Sequence, residues 1–253
     1  MQTKKAAAPK GKRIALWIVA VLLALVLVCL LVIWWAFAYS EKHPLGTTQT
    51  LPTVVETSPT VLSTVEDVSV NLGSDISITK IGAYTGAFVE DGSNEVLSGV
   101  LMLMIVNEGE EAVEYAELVM PTDTGDAHFS VSTLLPGTTM VLLEQNRMAY
   151  TGNEQVEQIQ VSSVAMFNRE LSMCEDQLKL QILDGAINVT NISGKDIEGD
   201  VVIYYKNYAQ DIYYGGITYR LRIQGGIQAN EVKQMTASHF SGSGSRVVFV
   251  TVG

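Results

Sequence analysis

Between Ile14 and Tyr39 the chain carries no charged side chain; five lysines and arginines precede this run, and all 27 acidic residues follow it. At about 1.5 Å of helical rise per residue, a run of this length covers the ~30 Å hydrocarbon core of a bilayer. It predicts a transmembrane helix over residues 14–39. Under the positive-inside rule Lys4, Lys5, Lys10, Lys12 and Arg13 keep residues 1–13 in the cytoplasm, which puts residues 40–253 outside. Trp34, Trp35 and Tyr39 fall at the outer interface and Trp17 near the inner one, the places where amphipathic rings anchor a helix in lipid. The expectation is a single-pass type II protein of the cell membrane with its C-terminus extracellular, in contact with membrane lipid through residues 14–39.

Two processing alternatives compete with a retained anchor. Ala36-Phe37-Ala38 has the small-x-small form of a signal-peptidase site, but Ile14 to Ile33 alone exceeds the ~7–15 apolar residues of a cleaved signal. Cys29 is preceded by Val28, where a lipoprotein signal needs a small residue, and more apolar sequence follows it. It is read as a small buried apolar residue.

Beyond residue 13 there are 11 basic residues against 27 acidic ones, a net of −16. That balance excludes electrostatic binding to nucleic acid or anionic lipid. Cys174 is the only cysteine outside the membrane run, so no disulfide staples this part, and a bacterial envelope protein fits better than an exported animal domain. The sequons at Asn188 and Asn191 are then accidental.

From Ser40 to Glu66 the composition shifts to Thr, Ser, Pro and Val, with Pro44, Pro52 and Pro59. Proline at that spacing forbids helix, so residues 40–66 are read as a stalk, about 80 Å long if extended and about 30 Å as a coil. After Asp67 the apolar pattern alternates at period two, as in Ile76-Ser77-Ile78, Leu101 to Ile105, Ile159-Gln160-Val161, Leu178 to Ile182 and Val248 to Val252. Asp91-Gly92, Glu108-Gly109, Thr124-Gly125, Pro136-Gly137, Ser193-Gly194 and Gly225-Gly226 separate the strands as turns. The best helical window, Asn168 to Gln177, is read as a connection. The halves also match: Asn107 ends an apolar strand, a Gly-containing turn follows, and Val113 and Leu118-Val119 stand at fixed offsets. Asn191, Gly194, Ile197 and Val202-Ile203 repeat this, and Leu135-Pro136-Gly137 parallels Ile227 to Asn230. The fold expected is therefore an all-β ectodomain of two tandem immunoglobulin-like β-sandwiches, residues 67–168 and 169–253, preceded by one N-terminal transmembrane helix.

The segment from Asp184-Gly185-Ala186-Ile187-Asn188-Val189-Thr190-Asn191 to Val201-Val202-Ile203-Tyr204-Tyr205-Lys206 resembles the bacterial FxLYD-type and related immunoglobulin-like surface modules, in which a strand ending in Asn leads through a turn to an apolar-Tyr strand. Tyr204 matches in identity; Val201 and Ile203 are apolar replacements, and Tyr205 stands where Asp is usual. The resemblance implies a β-sandwich on an exported bacterial protein and carries no activity with it.

Reactive groups are sparse. His43 lies in the stalk, while His128 and His239 stand beside Phe129 and Phe240 in different halves and are read as structural histidines. No metalloprotease, Cys-x-x-Cys or nucleophile-elbow motif occurs. Ser241-Gly242-Ser243-Gly244-Ser245 lacks the lysine of a phosphate loop and reads as a flexible hairpin. The acidic turns Glu108 to Glu111 and Asp123 to Asp126 lack calcium-loop spacing and read as solvated turns. No catalytic, cofactor-binding or metal-binding residue is assigned, and no cofactor is expected. The densest feature is aromatic: six of ten tyrosines lie between Tyr204 and Tyr219. Tyrosine joins a flat apolar face to a polar tip, so Tyr205, Tyr208, Tyr213, Tyr214 and Tyr219 are the candidate partner surface, with packing in a thin sandwich as the alternative. Gly215-Gly216 is read as the turn beside which Tyr208, Tyr213 and Tyr214 fan outward. The function expected is a non-catalytic binding, adhesion or scaffold module at the bacterial cell envelope, with a protein or glycan partner at the cell surface. The runner-up is an accessory subunit of a membrane transport or secretion complex.

Overall fold

The computed structural model describes residues 61–253, which belong to one compact unit. The cytoplasmic tail, the transmembrane helix with Trp17, Trp34, Trp35 and Tyr39, and the stalk up to residue 60 lie outside the described residues. Among the described residues the regular structure is thirteen strands and one 3-10 turn, Val156–Gln158. No helix among them is long and apolar enough to cross a membrane.

The first half supplies β1 (Val61–Gly73), β2 (Ile76–Ala87), β3 (Val96–Asn107), β4 (Val113–Thr122), β5 (Gly125–Leu134), β6 (Thr139–Leu143) and β7 (Gln160–Met166). The second supplies β8 (Leu178–Leu183), β9 (Ala186–Asn191), β10 (Val201–Ala209), β11 (Ile212–Ile223), β12 (Val232–Thr236) and β13 (Ser245–Val252). Strand β1 starts at Val61, inside the segment expected to be stalk. Asn168 to Gln177 forms no helix; it is an irregular connection along β13, with Val250 N donating to the Ser172 carbonyl at 2.8 Å.

Strand order shows how the halves correspond. One three-stranded sheet runs β5-β4-β7 and the other β12-β9-β8, while a seven-stranded sheet runs β1-β2-β3-β6-β11-β10-β13. Within these, β2-β3-β6 has the same order as β8-β9-β12, and β5-β4-β7 the same order as β11-β10-β13. The asparagines found in the sequence anchor both copies. Asn107, 1% exposed, donates from Nδ2 to the carbonyls of Glu111 at 2.8 Å and Leu134 at 3.1 Å, and its Oδ1 accepts from Gly109 N at 3.0 Å. Asn191, fully buried, donates to Lys195 O at 2.7 Å and Ile227 O at 2.9 Å and accepts from Ser193 N at 3.0 Å. In each case the buried amide ties the turn that follows it to the opposite loop by filling backbone groups of both. The matching also holds at Gly137 and Asn230, both left-handed (φ 65° and 64°), whose N–H groups bond the carbonyls of Asn107 and Asn191. Glycine and asparagine are among the few residues that take that conformation at little cost.

The halves are joined by a parallel pairing, Ile212, Tyr213 and Tyr214 of β11 against Thr139, Met140 and Val141 of β6. Alternation along β10 shows how the layers stack. Tyr204 and Tyr208 pack with the first-half core, whereas Ile203 and Tyr205 belong to the second-half core. The two small sheets therefore cover opposite faces of the long one. Leu101, Leu103, Ile105, Leu118, Phe129 and Leu142 form the first core, and Ile187, Val189, Val201, Ile203 and Ile227 the second. Each fully buried Leu, Ile or Phe contributes about 1.5–3 kcal/mol.

Candidate functional site

The tyrosines sit on one hairpin. Strands β10 and β11 are joined by the two-residue turn Gln210-Asp211, both with positive φ (51° and 63°), the mirror-image turn that matches strand twist. Tyr208 and Tyr213 are cross-strand partners with ring centroids 5.0 Å apart. Tyr208 is half-buried; its hydroxyl donates to Asp211 Oδ1 at 2.7 Å and accepts from Arg246 Nη1 at 2.7 Å.

The proposed surface is corrected at two of its five residues. Tyr205 and Tyr213 are 2% and 4% exposed, members of the second and first cores respectively. Tyr204 stacks on Phe249 at 4.1 Å, and Tyr205 on Tyr219 at 5.3 Å. Tyr219 is half-buried between Tyr205 and His239, and its hydroxyl donates to Val89 O at 3.2 Å. Tyr214 is half-buried against the cluster of Tyr84, Phe88 and Met102. Gly215-Gly216, read from sequence as the turn from which these rings fan out, lies inside β11 and is buried. Most of the aromatic density is thus packing material for a sheet that is covered on both faces.

What Gly215-Gly216 does is admit a neighbour. A Cβ on Gly216 would stand 1.7 Å from the Ser130 carbonyl oxygen, so β5 of the first half crosses β11 of the second at this point. Ser132 Oγ donates to Gly216 O at 2.8 Å, and Thr218 Oγ1 to Ser132 O at 2.9 Å. Gly216 N donates to both carboxylate oxygens of Glu90 at 2.9 Å, and Leu143 N donates to Glu90 Oε1 at 2.9 Å. Opposite stands Lys206, with no exposed surface, whose Nζ donates to the carbonyls of Gly215 at 3.3 Å, Gly216 at 3.2 Å and Ile217 at 2.7 Å. Residues from both halves therefore converge on one polar knot. Burial pushes the Glu90 carboxyl above its ordinary range, opposed by the backbone N–H groups and by Lys206. Burial pulls the Lys206 ammonium down to about 7, opposed by the charge of Glu90.

Lys206 is in the core because β10 is irregular. The β10–β11 register shifts between Tyr205 and Asn207, and the β10–β13 register between Tyr204 and Tyr205, so consecutive residues Tyr205 and Lys206 are both buried. A bulge of this kind re-aims a side chain. The available signal was a lone lysine inside the apolar string Val201 to Tyr208, with Gly-Gly close behind.

Other charged groups hold loops. Arg147 lies over the Phe88 ring at 4.9 Å and pairs with Asp91 at 2.7 Å and Glu95 at 2.6 Å. Hydrogen bonds from Ser93 hold the Asp91 carboxyl down at about 2. Glu144 is fully buried and accepts from His128 N, Asn146 Nδ2 and Met148 N at 2.9–3.3 Å. The His128 side chain is exposed, and His239 Nδ1 lies 3.1 Å from Asn94 Nδ2. Among the described residues no buried side-chain nitrogen or oxygen lacks a partner, and no cluster of three His, Cys, Asp or Glu is placed to hold a metal.

The second half has an opening. Between the edge strands β8 and β13 runs a groove of about 580 Å³ lined by Leu178, Leu180, Ile182, Ile192 and Val247, with Lys179 and Arg246 at its rim. Comparison with protein-family models, with curated proteins and with solved structures finds no match to this chain.

Proposed function

We propose that the chain is a membrane-anchored, extracellular binding and scaffold protein of the bacterial envelope that performs no catalysis and displays two fused immunoglobulin-like β-sandwiches, of the kind found in FxLYD-type surface modules. The observation that carries this reading is how the buried ionisable groups are used. Lys206, Glu90 and Glu144 spend their hydrogen bonds chiefly on backbone groups and hold strands and loops in place, and Glu90 does so across the line between the halves, bonding Leu143 N of the first and Gly216 N of the second. A body joined in this way transmits position from its anchor to its far end. That is what a spacer or scaffold needs and what a catalytic cleft does not. The strand orders β2-β3-β6 with β5-β4-β7, and β8-β9-β12 with β11-β10-β13, support the two-sandwich reading. The uncharged run at residues 14–39 supports the anchor.

The test is a membrane-impermeant amine crosslinker applied to intact cells that make the full-length protein at its native level, followed by blotting for the protein. The reading expects discrete, saturable adducts formed through the outer lysines. A protein that reacts only after lysis contradicts it.

A further inference from the structure

The second half leaves open an edge that the first half closes with its own chain. Ile76 pairs with Asn107 and Leu178 with Asn191, so Ile76 and Leu178 hold the same place in the two copies. Along the registers Ile78, opposite Ile105, matches Leu180, opposite Val189; Ile81, opposite Leu103, matches Ile182, opposite Ile187. In the first half this row is covered, with Ile76, Ile78 and Ile81 at 5%, 0% and 3% exposure. The cover includes β1, which pairs with β2 and packs Val68, Val70 and Leu72 against the same core. The seam beneath it retains a void of only about 20 Å³. In the second half Leu178 is buried, Leu180 is half-buried and Ile182 is 42% exposed. Among the described residues no strand pairs with β8 on that side.

The backbone of β8 is in phase to accept a strand. Ile192 N donates to Gln177 O at 2.8 Å, which makes residues 177, 179, 181 and 183 the ones bonded to β9. The N–H and C=O groups of Leu180 and Ile182 then point along the open edge, while Leu178 N is taken by Cys174 O at 2.8 Å. The groove also carries charge, with Lys179, Arg246 and Glu175 among its lining residues. In the first half the covering strand brings Asp67 to Lys80, whose place in the register is held here by Gln181.

We propose that β8 and this groove take an extended segment of a partner protein by strand addition, with apolar residues at alternate positions filling the groove and an acidic residue meeting Lys179 or Arg246. This deepens the binding role proposed above and rests on it. It does not depend on membrane topology, so the two can fail separately.

The probe is a fluorescein-labelled peptide with the sequence of residues 64–73, the strand that closes the equivalent edge, titrated with full-length protein in detergent micelles and read by anisotropy. It should bind the wild type, and a peptide with serine at the positions of Val68, Val70 and Leu72 should not. Ile182→Pro removes one outward N–H and keeps the bonds to β9, and should weaken binding at least about tenfold with an unchanged melting temperature. Ile182→Asp, which leaves the backbone free, should weaken it comparably and serves if the proline variant misfolds. Failure of the wild type to bind, affinity indifferent to both variants, or a dimer closed edge to edge through β8 overturns the proposal.

Discussion

Replacing Lys206 with methionine keeps the stem and removes the charge, and its effect on stability should depend on pH. The Lys206 pKa falls from 10.5 when unfolded to about 7 in the folded protein. The folded state therefore binds fewer protons than the unfolded one between those values. Its cost is fully in place below pH 7 and is relieved as pH rises toward 10.5, so this group makes stability climb with pH. At about 1.36 kcal/mol per pH unit, reached only above the folded pKa, the wild type should gain roughly 2 kcal/mol relative to Lys206→Met between pH 7 and 9. Glu90 shifts the other way. Its raised pKa contributes stability that is complete below the unfolded value of 4.5 and is lost as pH rises through the folded value. Loss of the nearby ammonium removes one of the contributions that lower Glu90, so its carboxyl moves further up in the variant. Denaturant unfolding at fixed temperature across pH 6.5 to 9.5 measures this directly. Two curves that stay parallel within about 0.5 kcal/mol would show that Lys206 is not the desolvated, titrating group described here.

Gly216→Ala places a methyl on the Ser130 carbonyl and should cost about 3–5 kcal/mol, whereas a loss below 1 kcal/mol in thermal unfolding would mean that the strands do not cross there. Asn107→Ala and Asn191→Ala each leave one buried and one partly buried carbonyl without their amide donor and should each cost about 1–3 kcal/mol; a large loss at one and none at the other would break the correspondence of the halves. Tyr213→Ala should cost about 3–5 kcal/mol as a core truncation. Tyr208→Ala, half-buried at the hairpin end, should cost clearly less, and equal melting shifts for the two would contradict the burial difference.

Alternation and turn chemistry were legible residue by residue. Ile76 to Ile78, Leu101 to Ile105, Leu178 to Ile182 and Val248 to Val252 all fall in strands, because the rule behind them is local. The correspondence of the halves was legible because Asn107 and Asn191 occupy strand ends where a buried amide serves a turn, a role that favours the same residue type at both places. The misreadings share one cause, contacts between distant parts of the chain. Gly215-Gly216 suggested a turn because glycine commonly marks one, but its use here is the approach of Ser130, more than eighty positions away. Tyrosine density alone does not reveal which of these rings are buried, and no period-two rule shows that both faces of the sheet holding Tyr205 and Tyr213 are covered. Lys206 and Glu90 could not be paired from sequence, since the bulge that buries the lysine is visible only in register with β11 and β13. The groove beside β8 follows from comparing two copies of one fold, one with an added strand and one without.

The proposal that most depends on orientation is the outward display of the β-strand body from a cytoplasmic-tailed anchor. The measurement is protease added to intact protoplasts making the full chain with different tags at its two ends. The account predicts loss of the C-terminal tag and survival of the N-terminal one, whereas a protected C-terminal tag on intact protoplasts would contradict it.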